Sequence, residues 1–235
     1  MKDQFHDRIH AGELLATRLQ RYANRGDVVV LGLPRGGVPV AAEIAKKLNA
    51  PLDVFVVRKL GVPGHRELAM GAIASGGIRV LNQALIFHLC IPGDVIEMVA
   101  DEERQELYRR EAAYRGDAPR IELDNKIVIL VDDGIATGST MLAAAQAIVQ
   151  KKPRRVVIAV PVGPYSASSE LQKVADEVVV LLSPRDFHAV GEWYEEFSQT
   201  SDEEVSCLLT KARHHHRDST IPHPVTINPR TTQIH

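Results

Sequence analysis

The chain has 235 residues, 45% apolar and 25% charged, with a formal net charge of −2; a composition of this kind builds a core and excludes wholesale disorder. So small a charge excludes a global basic field for nucleic acid, and no apolar run in the sequence reaches the length that spans a bilayer. Its two cysteines, Cys90 and Cys207, lie far apart and in no metal-ligand spacing, which suits a reducing cytosol.

The opening segment MKDQFHDRIHAGELLATRL is polar to amphipathic and lacks a signal-peptide core, so a cytoplasmic chain is expected. Residues 27–33, DVVVLGL, form the first of several nearly continuous Val/Ile/Leu runs; others lie at 52–59, 126–133, 154–162 and 176–183. Runs like these are strands buried on both faces, as in a parallel sheet covered by helices on each side. Helical periodicity at 38–49, 139–152 and 166–175 fills the intervals. The expected fold is α/β, a doubly wound, mainly parallel sheet flanked by helices, with ligands at the carboxyl ends of the strands.

Directly after the first strand, GLPRGGVPVAAEIA opens a helix. Gly36 and Gly37, following Pro34 and Arg35, let backbone N–H groups point at an anion while Arg35 adds charge. An isolated Gly-Gly turn with an exposed arginine has the same sequence, so the segment gains meaning only beside a second motif. Residues 59–77, KLGVPGHRELAMGAIASGG, read as a long basic loop, a lid over about 59–68, leading into a strand pair around GAIASGGIRVLN. Arg58, Lys59, His65 and Arg66 would there neutralise developing negative charge and exclude water. Glu67 is the lid's only acid and would steady those residues or handle an acceptor proton. A charged helix is expected over about 93–115, with Asp94 as N-cap and Glu97 three residues on; it would cover a sheet edge or meet another subunit.

The most informative stretch is KIVILVDDGIATGST, residues 126–140. A buried strand ends in Asp132 and Asp133, and a loop of small residues then opens a helix near Ser139. A helix N-terminus offers unsatisfied N–H groups to a phosphate. Gly134 and Gly138 permit the tight turn, and Thr137, Ser139 and Thr140 add hydroxyl donors. Two carboxylates repel a phosphate but accept from the vicinal hydroxyls of a sugar, or from metal-bound water. A phosphate beside a diol describes a ribose 5-phosphate. No lysine follows the loop glycine, so a P-loop is excluded, and no G-x-G-x-x-G ends this strand.

VILVDDGIATGST resembles the 13-residue phosphoribosyl-pyrophosphate (PRPP) signature of type I phosphoribosyltransferases. The resemblance extends over most of residues 10–210, and among such proteins the chain is most similar to bacterial stand-alone members of unassigned acceptor. It implies that Asp132 and Asp133 take the ribose hydroxyls and touch Mg²⁺ indirectly, through ligand and water. The loop Gly134, Ala136, Thr137, Gly138, Ser139 and Thr140 would hold the 5-phosphate. Pro34–Gly37 corresponds to the pyrophosphate loop, often built on a non-proline cis peptide, and Arg58, Lys59, Arg66 and Glu67 to the flexible catalytic loop. The implied reaction is Mg²⁺-dependent transfer from PRPP to a heterocyclic base or amine, in a homodimer. The alternative is a PRPP-binding regulator without turnover; the charge balance and the lack of a basic arm speak against a nucleic-acid partner.

After the last strand, SPRDFHAVGEWYEEFSQT gathers Phe187, Trp193, Tyr194 and Phe197. In the resembled family this part is a small hood over the acceptor, about residues 183–200. Phe187, Val190 and Trp193 are the expected acceptor contacts, since an aromatic face holds a planar heterocycle. Enzymes for hypoxanthine and guanine carry an acid within the signature loop where this chain has Ala136, which weakens a guanine-type assignment. Residues 1–210 are thus expected as one domain and 211–235 as a polar, flexible tail, whose His214-His215-His216 run lacks the acids or cysteines of a metal site.

Overall fold

The computed structural model describes residues 4–220. Helix α1 (Arg8–Arg18) starts at Asp7, whose side chain accepts from the His10 N–H at 2.8 Å. Strand β1 (Val28–Gly32) leads into α2 (Gly37–Leu48). There follow β2 (Leu52–Val54), β3 (Val57–Val62), β4 (His65–Ala74), β5 (Ile78–Leu81), α3 (Gln83–His88) and α4 (Gly93–Arg115). Then come β6 (Ile127–Val131), α5 (Ser139–Val149), β7 (Arg155–Val162), α6 (Tyr165–Leu171), β8 (Glu177–Leu182) and α7 (Asp202–Thr220).

The main sheet has the order β2-β1-β6-β7-β8 with every pairing parallel. Successive side chains of a strand face opposite ways, so each Val/Ile/Leu run feeds two cores. Val28, Val30 and Ile129 pack with Leu15 of α1, Ile44 of α2 and Val205 of α7. Val29, Leu31, Val128 and Leu130 pack with Met141 and Ile148 of α5. Helices on both faces of a parallel sheet are the architecture expected from the runs.

Three expectations are corrected. The lid is no loop: β3 and β4 pair antiparallel, with Val62 opposite His65 across Pro63-Gly64, and β5 adds to β4 as a third strand. Gly64 has φ +81°, the position after proline in a type II turn, so the Pro-Gly pair marks a hairpin whose strands satisfy their own backbone groups. Helix α4 has the expected bounds, yet Pro92 holds its N-cap position; Asp94 bonds only the next N–H, that of Val95, and Glu97 pairs with Arg79. Finally, α7 runs through residues 211–220, where a flexible tail is expected. Val205, Leu208, Leu209 and Ala212 form its inward stripe, a helical spacing that begins before the polar segment and carries it along. Residues 221–235 lie outside the described part.

The excursion from β2 to β6 is clasped where it starts and ends. Arg115, the last residue of α4, donates from Nε to both Asp53 oxygens at 2.8 and 3.0 Å, from Nη1 to Glu111 at 2.9 Å and from Nη2 to the Val54 carbonyl at 2.7 Å. All three charged side chains are buried. Among the described residues no helix is long and apolar enough to cross a membrane.

Candidate active site

In the main sheet the connections leave β1 towards β2 on one side and β6 towards β7 and β8 on the other. The carboxyl ends of β1 and β6 therefore flank the point where strand order reverses, the usual ligand crevice of open α/β sheets. Pro34–Gly37 leaves β1 and Asp132–Thr140 leaves β6, so the topology brings the two glycine-containing motifs together. The Leu33 N–H reaches the Val131 carbonyl at 2.8 Å, and the Pro34–Arg35 peptide is cis.

Contact between the loops is close enough to exclude a side chain. A Cβ at Gly36 would lie 2.0 Å from Asp133 Oδ2, and one at Gly37 would lie 2.6 Å from the Val131 carbonyl oxygen and 2.8 Å from Asp132 Cα. At Gly37 the obstacles are backbone, so Gly37→Ala must push α2 off β6. We expect it to cost about 1–3 kcal/mol, as overpacking does, read from the urea midpoint; an unchanged midpoint would show that the loops are not apposed. Arg35 reaches across to Asp202 at the start of α7, 3.9 Å away.

Each carboxylate has one oxygen taken by the protein. Asp132 Oδ1 accepts the Asp133 N–H at 2.9 Å. Asp133 Oδ2 accepts from Arg8 Nε at 2.9 Å and Nη2 at 2.8 Å. Burial, and then the neighbouring charge of Asp133, pushes the Asp132 carboxyl well above its ordinary range. Burial also raises Asp133, against the opposing pull of Arg8. An acid pair held this way ionises reluctantly and gains from any donor or cation that arrives.

The loop beyond the acids has a rigid root and an open tip. Ile135 is buried, its N–H bonded to the Val162 carbonyl at 2.9 Å, while Ala136, Thr137, Ser139 and Thr140 are exposed at the start of α5. Gly138, at φ +73°, makes the left-handed turn that aims this helix end outward. Thr137 and Ser139 hydroxyls lie 3.0 Å apart.

The hood reaches the same place. Val190 presses on Gly134, where a Cβ would meet its Cγ1 at 2.5 Å. Phe187 is half-buried beside it. Trp193 departs from expectation: it is 7% exposed, within a cluster containing Phe5, Val162 and Tyr194, so it supports the hood from inside and offers no face to an acceptor. Tyr194 is buried and donates its hydroxyl to the Asp133 carbonyl at 2.6 Å, its pKa raised by burial and then by the Asp133 charge. Residues 4–6 strap the hood down, with Phe5 and Tyr194 bridged and the Glu195 and Glu196 N–H groups bonded to the Phe5 and His6 carbonyls at 2.9 and 2.8 Å.

The four residues expected to be catalytic stay apart from this cradle. Arg58 is paired with Glu103 of α4 at 2.7 Å, and Glu67 faces His65 at 3.6 Å. Lys59 and Arg66 are exposed on the hairpin. Among the described residues, no hydrogen bond or ion pair joins the hairpin residues 57–68 to either strand-end loop. Arg8 is the site residue that no sequence motif marks, and Tyr194, gathered with the hood aromatics, holds the acid pair's backbone where an acceptor contact is the expectation for its segment.

Comparison with known proteins agrees with this geometry. The phosphoribosyl transferase domain family matches residues 2–196. Rv0571c of Mycobacterium tuberculosis strain H37Rv, provisionally named a phosphoribosyl transferase, is 49% identical over 214 residues, covering 91% of this chain and 47% of its own length. MT0597 of M. tuberculosis strain CDC 1551 / Oshkosh, with the same provisional name, matches to the same extent. The chain thus spans about half the length of the curated relatives it matches. The crystal structure of TT1426 from Thermus thermophilus superposes with a TM-score of 0.80 at 44% identity, covering 88% of this chain and 98% of that one.

Proposed function

The chain belongs to the phosphoribosyl transferase domain family, and from that premise we propose that it moves the 5-phosphoribosyl group of PRPP to a nitrogen of a nucleobase-like acceptor, releasing pyrophosphate. One observation supports the reading: the Gly36-Gly37 turn after β1 and the diacid with its loop of small residues after β6 meet at the β1/β6 crevice, with Gly36 and Gly37 against Asp133 and Asp132. A ligand with a phosphate at each end and a diol between fits that sequence of groups.

In this proposal Asp132 and Asp133 accept the ribose hydroxyls, residues 134–140 hold the 5-phosphate, and Pro34–Gly37 cradle the pyrophosphate. Gripping both ends orients C1 towards the acceptor. The acceptor nitrogen forms the new bond to C1 as the C1–O bond breaks; pyrophosphate leaves with the bonding pair, and the acceptor's proton passes to solvent. Arg58, Lys59 and Arg66 would meet the leaving charge when the β3–β4 hairpin closes over the crevice, with Glu67 steadying them. Phe187 and Val190 would border the acceptor.

Among the described residues no cluster of His, Cys, Asp or Glu could cage a metal ion. Two carboxylates whose oxygens the protein engages only in part fit the way Mg²⁺ is usually held, mainly by ligand oxygens and water. Asp132 and Asp133 would hold it through those waters, and the ion would supply screening of the pyrophosphate charge. We further propose a cytoplasmic homodimer, a setting in which the exposed Cys90 and Cys207 thiols stay reduced.

The test is pyrophosphate release from Mg²⁺-PRPP by the full chain with purine, pyrimidine and pyridine acceptors. Release that depends on one acceptor class is expected. PRPP binding without release for any acceptor would make the protein a PRPP sensor, and absence of both would sink the reading.

A further inference from the structure

The two carboxylates of the crevice are oriented by different means. Asp132 is held locally, by the N–H of the next residue. Asp133 is held by a side chain from the other end of the molecule: Arg8, at the start of α1, grips its Oδ2 with two N–H groups. The arginine is itself fixed. Its Nη1 donates to the Ser198 carbonyl at 2.7 Å, and its guanidinium carbon lies 4.0 Å over the Phe197 ring. Phe197 in turn stacks on Tyr194 at 5.0 Å between ring centroids, and Tyr194 bonds the Asp133 carbonyl. With side-chain exposures of 12% for Arg8 and 15% for Asp133, the pair is largely withdrawn from water.

We propose that Arg8 is a positioning residue for sugar recognition: by occupying Asp133 Oδ2 it turns Oδ1 towards the ligand, so that Asp133 reads one ribose hydroxyl while Asp132 reads the other. The proposal rests on the phosphoribosyl reading of the crevice and adds to it the element that sets the second acid. A planar, five-donor guanidinium is suited to this task because its fork fixes a carboxylate in rotation as well as in place. Without it the Asp133 carboxylate loses the two N–H groups that fix its rotation, and no other side-chain N–H among the described residues donates to it. Oδ2 already borders Gly36, so the arginine also keeps that oxygen on the protein side of the crevice. The same contact ties the hood and the amino-terminal strap to the ribose end of the site.

The experiment compares binding of ribose 5-phosphate, 2-deoxyribose 5-phosphate and 3-deoxyribose 5-phosphate to the full-length wild type, Arg8→Met and Arg8→Lys. The wild type is expected to prefer ribose 5-phosphate over each deoxy sugar by about 10-fold or more, the worth of a hydrogen bond to a charged acceptor. In Arg8→Met one of the two preferences collapses towards unity and the other survives; Arg8→Lys, which keeps the charge on a single donor nitrogen without the planar fork, recovers part of the lost preference. Unchanged preferences in Arg8→Met overturn the proposal. So does the loss of both preferences together with a lowered melting temperature, which would make Arg8 a purely structural link. Those results leave the phosphoribosyl reading standing. A wild type that binds no ribose 5-phosphate removes that reading, and this proposal with it.

Discussion

Replacing Asp132 and Asp133 together by asparagine will weaken PRPP binding by about 10²- to 10⁴-fold, the worth of two charge-assisted hydrogen bonds of about 1.5–3 kcal/mol each. Asparagine keeps the volume and the planar shape, so the contacts with Gly36 and Gly37 persist. What disappears is the negative charge that a diol donates to and that Mg²⁺-bound water needs. The single variant Asp132→Asn separates affinity from stability. Asp132 has its folded pKa raised by burial and by Asp133. A carboxyl of that kind weakens the fold once pH climbs above its unfolded value, because the buried group must then ionise or hold its proton at a cost. The neutral amide removes that penalty. Asp132→Asn is therefore expected to melt at or above the wild-type temperature at neutral pH while binding PRPP less well, the pattern of a site that trades stability for function. Equal affinity in the double variant would show that the diacid is not the sugar site.

Arg115→Met should be the most damaging single change to stability, by about 3–5 kcal/mol, because removing one partner of a buried ion pair leaves the other charges uncompensated. Here buried Asp53 loses its arginine, and buried Glu111 is left with Arg120 and Ser75 alone. Arg115 also fastens the end of α4 to the β2 carbonyl at Val54, so the hairpin excursion would lose its clasp. Burial pushes the Glu111 carboxyl up, but hydrogen bonds from Ser75 and Arg115 outweigh it and leave its pKa below the ordinary value. A depressed folded pKa means stability that is fully present above the unfolded value near 4.5 and is lost as pH falls through the folded one. The wild type should therefore lose part of its stability in that acid window, and Arg115→Met should lose less there. Urea unfolding at pH 7 and in the acid window measures both effects; a variant within about 1 kcal/mol of wild type would show that the clasp carries little.

What could be read from the sequence was what is local. Four runs of the main sheet, at 27–33, 126–133, 154–162 and 176–183, are nearly continuous in Val, Ile and Leu because neighbours pack on both faces, and that pattern survives without any knowledge of partners. The run at 52–59 is instead divided between β2 of the main sheet and β3 of the three-stranded one. Asp132 through Thr140 form one contiguous strand-loop-helix, so the chemistry is written in consecutive letters. Arg8 could not be found this way: it lies 125 residues from Asp133, in a segment whose only local signal is a helix start. Trp193 misled for a related reason, since an aromatic side chain that packs inward and one that faces a ligand are spelled alike. The hairpin at Pro63-Gly64 did carry a turn signal, but glycine and basic residues around it also describe a mobile loop. For α7 the stripe from Val205 to Ala212 was present, and the polar letters beyond it masked its continuation.

The most direct test of the central claim is a calorimetric titration of Mg²⁺-PRPP into the full chain. The account predicts saturable binding of one PRPP per chain, displaced by ribose 5-phosphate and separately by pyrophosphate, since each fills one end of the crevice. Absence of binding by a folded protein, or binding that neither fragment displaces, would contradict it.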